Sequence, residues 1–195
     1  MIAASARILD NVEIGPNAVI GEFVVIGEPP TGRREGELKT VIGVNAVIRS
    51  HTVIYAGNVI GDRFQAGHGV LVRESNQIGD DVSVGSHSVI EHHVEIATGA
   101  RVHSNVFIPE FSKLEQRCWV GPNVVFTNAP YPQSAGAKAS LKGPTIRQYA
   151  RIGANSTLLP GVEVGEQALV GAGSVVVDNV PPGGVVVGNP ARLIK

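Results

Sequence analysis

The chain has little cysteine, few aromatic residues and little charge, and each shortage excludes something. One cysteine, Cys118, excludes an internal disulfide and suits a reducing compartment. Aromatic residues are 5% of the 195, so a broad core of packed rings is excluded. Charged residues are 17% and the formal net charge is -1, which gives no electrostatic ground for nucleic acid or an anionic membrane as partner. No apolar run reaches 18 residues, so no transmembrane helix is expected. Met1 to Arg7 lack the apolar stretch of a secretion signal, and the expected location is the cytoplasm. Glycine is abundant, at 24 residues, beside 43% hydrophobic residues. That combination implies a narrow aliphatic core closed by many tight turns.

A period of six runs through the chain. From Ile42, steps of six reach Ile48, Ile54, Ile60, Ala66, Val72, Ile78, Val84, Ile90, Ile96, Val102, Ile108, Leu114, Val120 and Phe126 without meeting a polar residue. An earlier stretch gives Ile8, Ile14, Ile20 and Ile26, and the pattern resumes from Ile146 to Val176. Four residues after most members stands a small side chain, such as Ala46, Ser88, Ala100 or Cys118, with Asn58, Phe64 and Asn76 as exceptions. Alternation would signal an ordinary strand and a 3.6 spacing a helix. Six with two inward positions fits a two-residue strand and a turn. Three such units close a triangular coil of about 18 residues, each coil resting on its neighbours. The hexads predict one domain over residues 1–195, an all-β parallel β-helix of about eight coils. At roughly 4.8 Å per coil the prism is about 40 Å long. Two polar, Pro/Gly-rich segments, 28–40 and 129–145, interrupt the count and read as external loops.

The stretch Ile146 to Arg192 contains IGANSTLLPGVEVG, VGAGSVV and NVPPGGVVVGNPAR. It resembles the C-terminal half of the hexapeptide-repeat acyltransferases. The resemblance implies a left-handed coil, use of acetyl-CoA as co-substrate without a metal, and a homotrimer with its sites between chains. It also implies coenzyme contacts around Gly153, Ala154, Gly171 and Ala172, with Arg192 reaching a phosphate. After VGAGSVV the chain reads Val177-Asp178-Asn179 where a basic residue is common, which removes one phosphate contact. The segments HSNVFIPE (His103 to Glu110) and CWVGPNVVFTNAPYP (Cys118 to Pro132) are similar to nucleotide-linked aminosugar N-acetyltransferases. They imply an amino group of a dTDP- or UDP-linked sugar as acceptor, with Asn105 holding it and His103, Asn123 and Asn128 nearby.

A stride of 18 places His51, Gly69, His87, Asn105 and Asn123 in one column. The 129–145 loop leaves the chain shortly after Val125, so column and loop are expected to be neighbours. His87, one coil below Asn105, is the rival candidate for a general base. A structural ladder and a solvated surface are the plain alternatives for the same residues. Other functional readings share the fold. An O-acetyltransferase would call for a histidine base in or beside the loop, which contains none. A longer-chain acyltransferase acting on a UDP-sugar and a non-catalytic scaffold remain. A γ-type carbonic anhydrase would use His87 and His92 as zinc ligands, but His87 stands one residue out of register and Arg73 takes the place of a partner to His68.

Overall fold

The computed structural model describes all 195 residues as a left-handed parallel β-helix. Its short strands assemble into three flat faces. The first holds nine strands, from Arg7–Ile8 to Val175–Val176. The second holds eight, from Val12–Ile14 to Glu163–Val164. The third holds ten, from Val19–Ile20 to Val185–Val187, where Arg192–Leu193 folds back antiparallel. The solenoid therefore has about nine coils, one more than the hexads predict. The extra coil comes from Val185–Val187 beyond the last hexad and from Ile2, which bridges to Ile20.

Away from the two loops and the C-terminal end, each strand pairs with the strand 18 residues away, as at Val72↔Ile90 and Val84↔Val102. The aliphatic that ends a strand points inward, and forty buried residues form one continuous core. Phe64 occupies a small-residue position in the hexad where Ala66 stands at the aliphatic one, so a large and a small side chain have exchanged places. The buried polar residues of the small column satisfy themselves. Asn58 Nδ2 donates to the carbonyls of Tyr55 and Arg73, and its Oδ1 accepts from the Asn76 N–H. Asn76 repeats the pattern with Arg73 and Val94. These two exceptions in the sequence pattern are thus rungs of a buried amide ladder.

Two conformational demands shape the corners. Where glycine directly follows the inward aliphatic, the next coil lies too close for a Cβ. A Cβ on Gly85 would come 2.4 Å from the Ser104 nitrogen, and one on Gly153 2.4 Å from that of Ala172. Three residues after the aliphatic, the backbone is left-handed, at φ 59° for His87, 58° for Asn105 and 57° for Asn123. Asparagine tolerates that region better than most residues, so the corner geometry itself favours it there.

Both interruptions leave from the same place, the corner between the first and second faces. The 28–40 segment joins Val25–Glu28 to Thr40–Ile42, and the 129–145 segment joins Val125–Phe126 to Thr145–Ile146. A short 3-10 turn, Ala137–Ser140, lies in the second. No helix is long and apolar enough to cross a membrane.

Candidate active site

The corner between the third and first faces carries most of the residues singled out in the sequence. His87, Asn105 and Asn123 stack there, each linked to the coil below by a backbone N–H: His87 to the His68 carbonyl at 2.9 Å, Asn105 to Ser86 at 2.9 Å, Asn123 to Ser104 at 3.0 Å. Their side chains are exposed and make no hydrogen bond within the chain. Ser50 Oγ and His68 Nδ1 meet at 2.8 Å at the same corner. His103 is half-buried, its ring centroid 4.7 Å from that of Trp119. Burial first, and then Arg101, hold its pKa below the ordinary histidine value. Its Nε2 is enclosed without a partner.

Gly153–Ala154 and Gly171–Ala172 occupy this corner on two successive coils. At some other corners, the N–H at the Ala154 position is met by a side chain of the next coil. Asp62 Oδ1 accepts from Val44, and Ser86 Oγ from His68. The N–H groups of Ala154 and Ala172 have no acceptor in the chain, which leaves two donors for a ligand oxygen. Arg192 pairs across the closing ladder with Val187, whose side chain packs over Gly171.

Asn128 belongs to a different corner. The strand Val125–Phe126 separates it from Asn123, and it stands at the first-to-second corner where the long loop begins. The expected juxtaposition of the His/Asn column with that loop is therefore corrected: within one chain they lie at successive corners. The reason is that a strand of the first face intervenes between Asn123 and the loop. His87 and His92 are parted in the same way, and no group of three or more His, Cys, Asp or Glu is placed to hold a metal ion.

Asn128 completes a polar column that reasoning from the sequence missed. Glu74, His92, Glu110 and Asn128 follow one another at a stride of 18, each two residues after an inward aliphatic. The signal for it is the same 18-residue stride that stacks the other corner. Asn128 Nδ2 donates to Glu110 Oε2 at 2.7 Å, and Glu110 Oε1 lies 3.7 Å from His92 Nε2. On its other side, His92 Nδ1 is 2.7 Å from His93 Nδ1. Arg73 joins Glu74 at 2.9 Å and Glu91 at 3.5 Å, with its guanidinium 4.9 Å from the centre of the Tyr55 ring. The Lys142 N–H donates to the Asn128 carbonyl at 2.9 Å and closes the neck of the loop over the column.

The electrostatics of this corner are uneven. Burial opposes ionisation of Glu74, but its own backbone N–H and Arg73 outweigh it and lower the carboxyl. Glu91 goes the other way: burial raises it, Arg73 only partly compensates, and Glu110 adds repulsion. A carboxyl raised in the native state carries a charging cost that is absent at low pH and complete above its native pKa. Glu91→Gln removes that cost. The variant is expected to melt a few degrees higher than the parent at pH 7, with the difference gone below about pH 4. Thermal melts across that range check it. A group that lowers stability yet stays half-buried in a polar cluster is typical of a working site.

The bacterial transferase hexapeptide family (six repeats) matches residues 143–178. The bifunctional protein GlmU of Carboxydothermus hydrogenoformans is 29% identical over 195 residues, covering 95% of this chain and 42% of that protein. A 2,3,4,5-tetrahydropyridine-2,6-dicarboxylate N-acetyltransferase of Clostridium perfringens is 52% identical over 50 residues, 26% of this chain and 21% of the relative. Among solved structures, the UDP-N-acetylglucosamine acyltransferase of Francisella novicida superposes with a TM-score of 0.53 at 22% identity, covering 99% of this chain and 68% of the other. That likeness is one of fold. The chain thus spans less than half the length of the curated relatives it matches. The family match covers the C-terminal repeats, and the matches above with a single named activity are an N-acetyltransferase and, by fold alone, an acyltransferase.

Proposed function

We propose that the chain is an acetyl-CoA-dependent N-acetyltransferase acting on the amine of a nucleotide-linked aminosugar, and that it works as a homotrimer. The observation that carries this reading is the half-buried column Glu74–His92–Glu110–Asn128 beneath the loop neck. Half-buried carboxylates favour an incoming ammonium, and a histidine among them can take its proton. An alcohol acceptor offers no cation to such a cluster.

The reaction assigns a task to each group. The neutral amine attacks the thioester carbonyl carbon, a C–N bond forms, and the carbonyl becomes an oxyanion. The C–S bond then breaks and the thiolate leaves. His92 accepts the proton that the amine nitrogen must lose, and Glu110 steadies the imidazolium. Asn128 holds Glu110 in place. Asn105 is the proposed amide that orients the acceptor, since its oxygen accepts from an amine without protonating it. His87 is the alternative base, with His103 and Asn123 on the same wall. The free N–H groups of Ala154 and Ala172 suit the donor, together with Gly153, Gly171 and Arg192.

The donor contacts and the acidic column stand at different corners of one chain. A cleft containing both therefore takes two copies, the loop-bearing corner of one against the third-to-first corner of the next. Three such contacts close a ring. The expected result is a trimer by light scattering that releases CoA thiol faster with a dTDP- or UDP-aminosugar than with serine, maltose or an unmodified sugar. A stable 20.4 kDa monomer, or faster turnover of an alcohol, would reverse the reading.

A further inference from the structure

The third face carries a small recess in its N-terminal half, at the edge it shares with the first. Directly after the inward aliphatics stand Arg49, Gly67, Gly85 and His103 on four consecutive coils. The two glycines leave the wall without side chains, because a Cβ on Gly67 would come 2.5 Å from the Ser86 nitrogen and one on Gly85 2.4 Å from that of Ser104. A cavity of about 250 Å³ opens there, lined by Arg49, Gln65, Ser83, Arg101, His103 and Ser104 beside the glycines. Arg49 and Arg101 enter none of the chain's ion pairs, whereas Arg63, Arg73 and Arg147 are each held by carboxylates. The side chains of Gln65, Ser83 and Ser104 make no hydrogen bond within the chain, although Ser86 and Ser88 nearby are both engaged. The Nε2 of His103 is enclosed without a partner. No carboxylate lines the cavity, and Glu22, on the coil before Arg49, is taken up by Ser5. Two guanidinium groups and three neutral polar side chains around one recess therefore lack partners together.

We propose that this recess binds a small dicarboxylate, one carboxylate on Arg49 and the other on Arg101, with Gln65, Ser83 and Ser104 donating to oxygens between them. The chemistry fits on three counts. A guanidinium gives a carboxylate two parallel donors. The two arginines stand three coil steps apart, roughly 14 Å between backbones, so two anionic groups joined by a short carbon chain meet both where a single carboxylate meets one. Serine hydroxyls and a glutamine amide add donors without adding charge. A nucleotide suits the recess poorly. The cavity is smaller than the roughly 300 Å³ at which drug-sized sites begin, and no indole, phenol or phenyl ring lines it for a base to stack on. The inference goes beyond the amine-transfer reading, because binding is measured with neither thioester nor amine present.

The test is calorimetric titration of the full chain at fixed ionic strength with succinate, glutarate, butyrate, inorganic phosphate and UDP. It is repeated with R49Q, R101Q and the double variant. Succinate or glutarate is expected to bind saturably with a Kd at or below about 1 mM. Butyrate should bind at least about tenfold more weakly, and the double variant should weaken the dicarboxylate by at least about tenfold. Each single variant should weaken it as well, since each removes one of the two carboxylate contacts. Both arginines are exposed, so the melting temperature of the unliganded chain should not change. The proposal is overturned if neither dicarboxylate binds up to about 10 mM, or if the variants bind as tightly as the parent. It is equally overturned if butyrate, phosphate or UDP binds as tightly as the better dicarboxylate. None of these outcomes depends on thiol release, so the recess and the proposed reaction stand or fall separately.

Discussion

His92→Ala is expected to lower kcat/KM for an aminosugar acceptor by about 10²–10⁴-fold, the usual range for loss of a general base. The loss should fall mainly on kcat, because the imidazole acts as the amine attacks rather than in ground-state binding. Glu110→Gln should lose less, since His92 remains. Across the cleft, Asn105→Ala should cost about tenfold, roughly 1.4 kcal/mol. Co-expressing differently tagged His92→Ala and Asn105→Ala chains, and isolating mixed trimers, tests the two-copy site. Mixed trimers contain interfaces with both residues intact and should regain part of the activity, while either variant alone stays low. If His92→Ala is fully active and His87→Ala takes the loss of about 10²–10⁴-fold instead, the base stands at the other corner. If none of these changes matters, the chemistry lies elsewhere on the solenoid.

Phe126→Ala should give the largest loss of stability, about 3–5 kcal/mol, as for other fully buried rings. Phe126 has no exposed surface and pairs in register with Leu158 across the point where the long loop leaves. No side chain of the loop is available to fill the void, since its residues from Pro130 to Gly136 are exposed. A solenoid is nearly one-dimensional, so the damage should stay local. Hydrogen exchange should show protection lost in the coils spanning residues 107–158, while the N-terminal coils around Ile42 to Ile60 keep theirs. Uniform loss along the whole prism would show that the coils melt as one cooperative unit. The same variant should weaken acceptor turnover, because Thr127 and Asn128 follow Phe126 directly and hold the polar column.

Most of the fold could be read in advance, and for a local reason. In this solenoid each hexad repeats one environment, an inward aliphatic, a corner and a small inward residue, so the stride in the sequence is the stride in space. That is why Cys118 could be placed in the core, where burial pushes its thiol up to about 12. It is also why His51, His87, Asn105 and Asn123 could be stacked correctly before any coordinates. The same regularity misled at one point. The loop follows Val125 closely along the chain, but a two-residue strand crosses an entire face of the triangle, so nearness in sequence became separation by a corner.

The candidate site was legible only in halves. Glu74, His92, Glu110 and Asn128 obey the 18-residue stride, yet nothing in the spacing says that Glu110 faces His92 and Asn128 together, or that burial raises Glu91 and lowers Glu74. Those outcomes depend on rotamers and on which side chains the loop neck covers. Nor does the pattern separate two causes for an asparagine at a corner, a left-handed φ and contact with a ligand. The sequence alone determined the coil, its core and the columns, because these follow from a period of six and the small volume inside a triangular prism. Only the tertiary structure decided which columns carry free donors, enclosed carboxylates or unpaired guanidinium groups. Those properties arise between coils 18 or more residues apart, where each polar atom either finds a partner or is left without one.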